Sequence, residues 1–146
     1  MYQKTILVVE DNPDHLELTL LTLQENGIRN EIVVARDGVE ALNYLFGEGP
    51  HSGRDTRHQP ELVLLDLKLP KLNGREVLQR MRADPCTATV PVVVLTSSSE
   101  EEDILACYRG GANSFVRKPV DFSEFTQKLR QVQVYWLMVN QAQAPQ

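Results

Sequence analysis

Five short apolar runs punctuate the chain, and a segment with helical spacing follows each of them. The first run is Thr5-Ile6-Leu7-Val8-Val9, stopped by Glu10-Asp11-Asn12-Pro13. An apolar run of this length bounded by turn signals fits a strand buried on both faces. Pro13 suits the first turn of a helix, with Asn12 as its N-cap. Leu16, Leu20 and Leu23 recur at helical spacing, Leu18 and Leu21 widen the stripe, and Gly27 closes it as a C-cap. Glu31–Ala35 reads as the second strand, after which Asp37 caps a helix carrying Val39, Leu42, Leu45 and Phe46 on one face. A Gly- and Pro-rich stretch, 47–60, separates it from Leu62-Val63-Leu64-Leu65, which runs straight into Asp66. Asn73-Gly74 breaks the chain before a helix marked by Val77, Leu78 and Met81, and Asp84-Pro85 ends that helix. Val90–Leu95 is the fourth strand and leads into Thr96. The next helix opens on the acids Glu100–Asp103, where the helix dipole favours them, and stops at Gly110-Gly111. Ser114–Arg117 is the fifth strand. Lys118-Pro119 and a last helix from Asp121 or Phe122 follow.

Strictly alternating strands and helices call for a parallel sheet with helices on both faces. Right-handed crossovers leave few ways to arrange it. The expected fold is α/β, flavodoxin-like and doubly wound, with five parallel strands in the order 2-1-3-4-5 and five helices. The length of 146 residues fits a single domain over 1–146, with no further domain expected. Stretch 47–60 exceeds the usual connection of about 4–6 residues, and the pattern resumes directly after it, so it reads as a surface insertion.

Charge removes several function classes. With a net charge of −5 the chain lacks the basic face that nucleic acid demands, and an anionic membrane surface is equally excluded as a partner. No apolar run approaches the roughly 18 residues of a membrane span. Met1-Tyr2-Gln3-Lys4 leads directly into a strand without a signal-peptide core, so a cytoplasmic protein is expected. Cys86 and Cys107 lack metal-like spacing and read as reduced thiols.

Ligands of such sheets bind beyond the carboxyl ends of the strands. Those ends carry Glu10 and Asp11, Asp66, Thr96 and Lys118. Each alone is ordinary: strand-end acids cap turns, and a lysine before a proline is usually solvated. Three acids, a hydroxyl and an ammonium from four segments at one rim are a functional site. Two like charges about 4 Å apart repel by about 4 kcal/mol at an effective dielectric near 20, so the crowded carboxylates call for a cation or raised pKa values. The ligands are all oxygen, which favours Mg²⁺ over zinc, with Mn²⁺ able to substitute. His15, His51 and His58 lie on a helix and in the insertion and read as surface residues.

Glu10-Asp11, Leu65-Asp66-Leu67-Lys68-Leu69-Pro70 with Gly74, Thr96-Ser97, and Phe115 through Lys118-Pro119 together resemble the receiver domains of two-component response regulators. The match covers nearly the whole chain in order and spacing. The resemblance implies a phosphoacceptor signalling protein that catalyses only its own phosphorylation and dephosphorylation. Asp66 takes a phosphoryl group from a phosphohistidine of a sensor histidine kinase. Asp11, Asp66 and the backbone carbonyl of Lys68 bind Mg²⁺, and Glu10 holds it through water or orients Lys118. Lys118 pairs with the phosphoryl oxygens and Thr96 donates a hydrogen bond to one of them. Thr96 and Phe115 form the switch, and the Lys118–Pro119 bond is cis. Insertion 47–60 and the ending Tyr135-Trp136-Leu137 resemble more closely the small single-domain regulators paired with cyanobacterial phytochrome-type kinases.

The last helix places Phe122, Phe125, Leu129, Val132, Trp136 and Val139 at alternating three and four spacing, a core-facing stripe. Val134, Tyr135, Leu137 and Met138 make its final turns apolar nearly all round, which calls for a second partner. A homodimer through Tyr135, Trp136, Leu137 and Met138, joined by the fourth helix and fifth strand, is expected. The alternative is a long helix packed on its own domain. Three rival functions fare worse. A dinucleotide enzyme needs a Gly-rich turn where Glu10-Asp11-Asn12-Pro13 stands. An aspartyl phosphatase usually carries an acid two residues past its nucleophile, and Lys68 occupies that place. A phosphorylation-independent docking module has no use for intact acids and Lys118.

Overall fold

The computed structural model describes residues 4–25, 30–96, 101–118 and 122–139. The expected Gly27 cap and the Lys118–Pro119 bond lie outside them, as does the side chain of Met138. The elements alternate as β1 (Thr5–Val9), α1 (Pro13–Glu25), β2 (Glu31–Ala35), α2 (Gly38–Phe46), β3 (Leu62–Leu65), α3 (Gly74–Ala83), β4 (Val92–Thr96), α4 (Glu101–Arg109), β5 (Ser114–Arg117) and α5 (Phe122–Val134). The strands form one parallel sheet in the order β2-β1-β3-β4-β5, as the alternation requires.

Successive side chains of a strand point to opposite faces, so each strand feeds two cores. Leu7, Val9, Val63, Leu65, Val92 and Val94 join α2, α3 and α4 on one side. Ile6, Val8, Leu62, Leu64, Val93 and Leu95 join α1 and α5 on the other. β4 begins after Pro91 rather than at Val90, since proline has no N–H for the ladder. Cys86 and Cys107 are both unbridged.

The helix starts are chemically specified. Asn12 Oδ1 accepts from the backbone N–H groups of Asp14 and His15 at 2.9 and 3.1 Å. Asp37 caps α2 by accepting from Glu40 N. Asn73 and Glu76 form a reciprocal capping box at the start of α3. Two helix faces differ from expectation. Leu21 is exposed, and the small Thr19 and Thr22 are buried instead, the Thr22 hydroxyl donating to the Leu18 carbonyl at 2.9 Å. Val39 likewise faces solvent, while Ala41 and Tyr44 fill the core.

Insertion 47–60 is tied to α2. Gly47 ends that helix in the left-handed conformation (φ 64°). Arg54 lies over the Tyr44 ring, 4.2 Å from its centroid, and donates to the carbonyls of Tyr44, Leu45 and His58 at 2.6, 3.1 and 2.7 Å. Two of these carbonyls belong to the last turn of the helix, where Gly47 N also donates to Tyr44 O and Gln59 Nε2 to Leu45 O.

α5 passes into a single π turn, Tyr135–Val139. This turn corrects one expectation: Leu137 does not lie on a dimer surface but is fully buried in the second core with Phe125 and Leu129. The wider π turn swings Leu137 inward, and Lys4 Nζ donates to its carbonyl. Tyr135 stays half-exposed and Trp136 is partly buried, their rings in edge contact.

Candidate functional site

Strand register assembles the site. Val9 aligns with Ala35 on one side and Leu65 on the other. The next residues, Glu10 and Asp66, therefore stand side by side at the carboxyl rim. Their backbone N–H groups still bond into the ladder, to Ala35 O at 3.0 Å and Val9 O at 3.1 Å. Lys118 leaves β5 in the same way, its N–H donating to Thr96 O at 2.7 Å. Continued one residue past the strands, the facial alternation puts Glu10, Asp66 and Lys118 on the side of α1 and α5. Thr96 has the opposite parity, shared with Val92 and Val94, and is fully buried.

Lys118 Nζ ion-pairs with Glu10 Oε1 and lies 3.3 Å from Asp66 Oδ2. The side chains of Lys118 and Glu10 are only 8% and 4% exposed, so the pair sits where charge needs a partner. Glu10 Oε2 accepts from Asn12 N at 3.3 Å, and Asp66 Oδ1 from Lys68 N at 3.4 Å. Burial, reinforced by the neighbouring Asp66, pushes Glu10 up to about 7 despite the Lys118 charge. Asp11 alone of the three acids is exposed.

Carboxylate oxygens of Glu10, Asp11 and Asp66 all lie within 4.8 Å of one another. Two sheltered acids and one open to solvent, with no sulfur or nitrogen ligand among them, fit a hard divalent cation that keeps some of its water. Of the residues expected here, Glu10, Asp11, Asp66 and Lys118 are gathered in one place. Thr96 and Lys68 flank it.

One further residue is present that the sequence reading placed on the surface. His15, in the first turn of α1, is partly buried with Nδ1 3.2 Å from Lys118 Nζ. His51 and His58 stay in the insertion, His51 against the Tyr44 ring and His58 beside Asp55.

Away from the rim, β5 and α5 line an open groove of about 600 Å³ with walls that include Ile104, Phe115, Val116, Tyr135 and Trp136. Phe115 packs on the first core and also reaches this groove, which links the rim strand to an outer face. Leu105, Tyr108 and Val134 are other apolar side chains left open on α4 and α5.

Residues 6–130 match the family of the response regulator receiver domain. The chain belongs to that family. Receiver domains take a phosphoryl group from histidine kinases, bind divalent metal and are not enzymes of the ordinary kind. The probable methanogenesis regulatory protein FilR2 of Methanothrix harundinacea is 37% identical over 96% of this chain and 88% of its own. The phosphorylated cyanobacterial phytochrome response regulator RcpA superposes with a TM-score of 0.91, at 36% identity over 98% of this chain and 100% of that one. The response regulator Rcp1 of Synechocystis is 34% identical over 92% of this receiver domain and 89% of its own length. Its Mn²⁺-bound structure superposes with a TM-score of 0.89, covering 97% and 99% of the two chains at 33% identity. Among the described residues no helix is long and apolar enough to cross a membrane.

Proposed function

We propose that this receiver domain accepts a phosphoryl group on Asp66 from a phosphohistidine of a phytochrome-type sensor kinase and signals through protein contact in the cytoplasm. The observation that carries this reading is the buried Lys118 ammonium bridging Glu10 and Asp66 beside the three-carboxylate cluster. The likeness to RcpA supports the kinase class.

In the transfer, an Asp66 carboxylate oxygen attacks phosphorus while the P–N bond breaks. The released imidazole nitrogen keeps the bonding pair and takes a proton from water. The chain's own work is positioning and charge neutralisation, which dominate phosphoryl transfer. Asp11, Asp66 and the Lys68 carbonyl hold Mg²⁺, with Glu10 reaching it through water, and Mn²⁺ serves in its place. The bound metal supplies positive charge against the phosphoryl oxygens. Lys118 pairs with one of those oxygens and Thr96 donates a hydrogen bond to another.

The added charge and acceptors then draw Thr96 toward the rim. Phe115 follows into the space released, which alters the groove beside Tyr135 and Trp136. Two copies pair through that face, using Tyr135 and Trp136 with α4 and β5. Its uncovered Leu105, Tyr108 and Val134 support this.

Labelling by acetyl phosphate with Mg²⁺ tests the core of the reading. The wild type acquires an acid-labile phosphoryl group and Asp66→Asn does not; undiminished labelling of Asp66→Asn refutes it. Light scattering at micromolar concentration tests the pairing, and a monomeric mass with and without acetyl phosphate refutes that part.

A further inference from the structure

An ammonium group carries three N–H bonds, and at a nearly buried lysine each needs an acceptor. Among the described residues the acceptors around Lys118 Nζ are Glu10 Oε1, Asp66 Oδ2 at 3.3 Å and His15 Nδ1 at 3.2 Å. Two come from the strand ends, and the third comes from α1. The backbone of His15 is set independently of Lys118, because its N–H bonds Asn12 Oδ1 in the N-cap of that helix.

We propose that His15 is a positioning residue for phosphoryl transfer, using its unprotonated Nδ1 as the third anchor that holds the Lys118 ammonium at the rim. The proposal rests on the phosphoacceptor reading of Asp66 and adds a residue to it. Without His15, Glu10 and Asp66 are the acceptors left to the ammonium among the described residues, and it can turn about the axis through them. Lys118 then loses the fixed direction in which it meets the incoming oxygens, and preorganised charge is what the transfer uses.

The imidazole must be neutral and carry its hydrogen on Nε2 to accept from a lysine. Its surroundings favour the neutral form: burial lowers the His15 pKa, as does the Lys118 charge, against weaker opposing pulls from Asp66, Asp14 and Asp11.

The test compares initial rates of Asp66 labelling by acetyl phosphate at saturating Mg²⁺. A hydrogen bond to a charged donor, partly replaceable by water here, predicts a loss of about five- to tenfold for His15→Leu. His15→Asn, which can offer an oxygen near the place of Nδ1, stays within about twofold of wild type by the same reasoning. In a Lys118→Ala background His15→Leu has no further effect, because its target is gone. Wild-type rates in His15→Leu, equal loss in Leu and Asn variants, or a full His15→Leu effect without Lys118 each overturn the proposal. Imidazole nitrogen-15 shifts of the wild-type protein decide the tautomer even if the leucine variant does not fold. A protonated Nδ1 at pH 7.5 refutes the anchor. Persistent labelling of Asp66→Asn is a different failure, that of the phosphoacceptor reading itself.

Discussion

A single methyl group on Gly74 should disable the site. A Cβ there would lie 2.3 Å from the Asp66 carbonyl oxygen, 2.8 Å from Leu67 Cα and 3.0 Å from the Asp66 carbonyl carbon. Ordinary contact starts at 3.4 Å, so α3 and the strand end must part by about 1 Å. Neither side yields easily. Helix α3 is held by its capping box, by Gly74 N donating to Leu67 O at 2.9 Å, and by buried Val77, Leu78 and Met81. Asp66 is held by its own N–H bond to Val9 O. Overpacking of this kind costs about 1–3 kcal/mol. Displacing a reacting carboxylate by about 1 Å costs on the order of a hundredfold in rate. Gly74→Ala should therefore lower the urea midpoint and slow acetyl phosphate labelling of Asp66 far more than the stability loss explains. Measurement at 15 °C, with the fraction folded checked by circular dichroism, separates the two effects. Wild-type labelling and a wild-type midpoint together refute the reasoning.

Leu137→Ala provides a contrast, since it opens a cavity in the second core beside Phe125 and Leu129. It should lose about 2–5 kcal/mol in urea unfolding while the folded fraction labels at the wild-type rate. The Glu10 carboxyl gives a pH signature in metal-free protein. Folding raises its pKa from the ordinary 4.5 to about 7, so the folded chain keeps a proton that the unfolded chain releases. The stabilisation from this group is complete below about pH 4.5 and is lost as pH rises through about 7. It amounts to roughly 3 kcal/mol, read as the difference between wild type and Glu10→Gln in urea titrations with EDTA. Arg54→Ala removes two bonds to α2 carbonyls and one within the insertion, leaving Gln59 on the Leu45 carbonyl, and should cost about 1–3 kcal/mol and speed hydrogen exchange across 47–60. Labelling of Asp66 should not change.

Most of the fold was legible because a parallel sheet buries its central strands on both faces, leaving short apolar runs that alternate with helical spacing. Glu10 and Asp66 were legible for the same reason, since each directly ends such a run, with Asp11 one residue further on and Lys118 just after the short strand Ser114–Arg117. His15 was not, because a histidine at a helix start looks solvated until the facial parity of Glu10, Asp66 and Lys118 is followed toward α1. That parity was available in the sequence and would have found it. Leu137 defeated periodicity because the helix widens into a π turn, which shifts the angular position of every later side chain. The tether made by Arg54 depends on a contact back to Tyr44, invisible to any pattern within 47–60.

The alternate ownership of each strand has a genetic consequence. Leu64 and Leu65 are neighbours in sequence, yet a hydrogen-bonded sheet separates the compartments they fill. A void opened by trimming one cannot be refilled by enlarging the other. Compensating changes for Leu64 should arise in α1 or α5, and those for Leu65 in α2, α3 or α4. The face that includes α4 can thus drift toward new partners while the opposite half of the molecule keeps its packing.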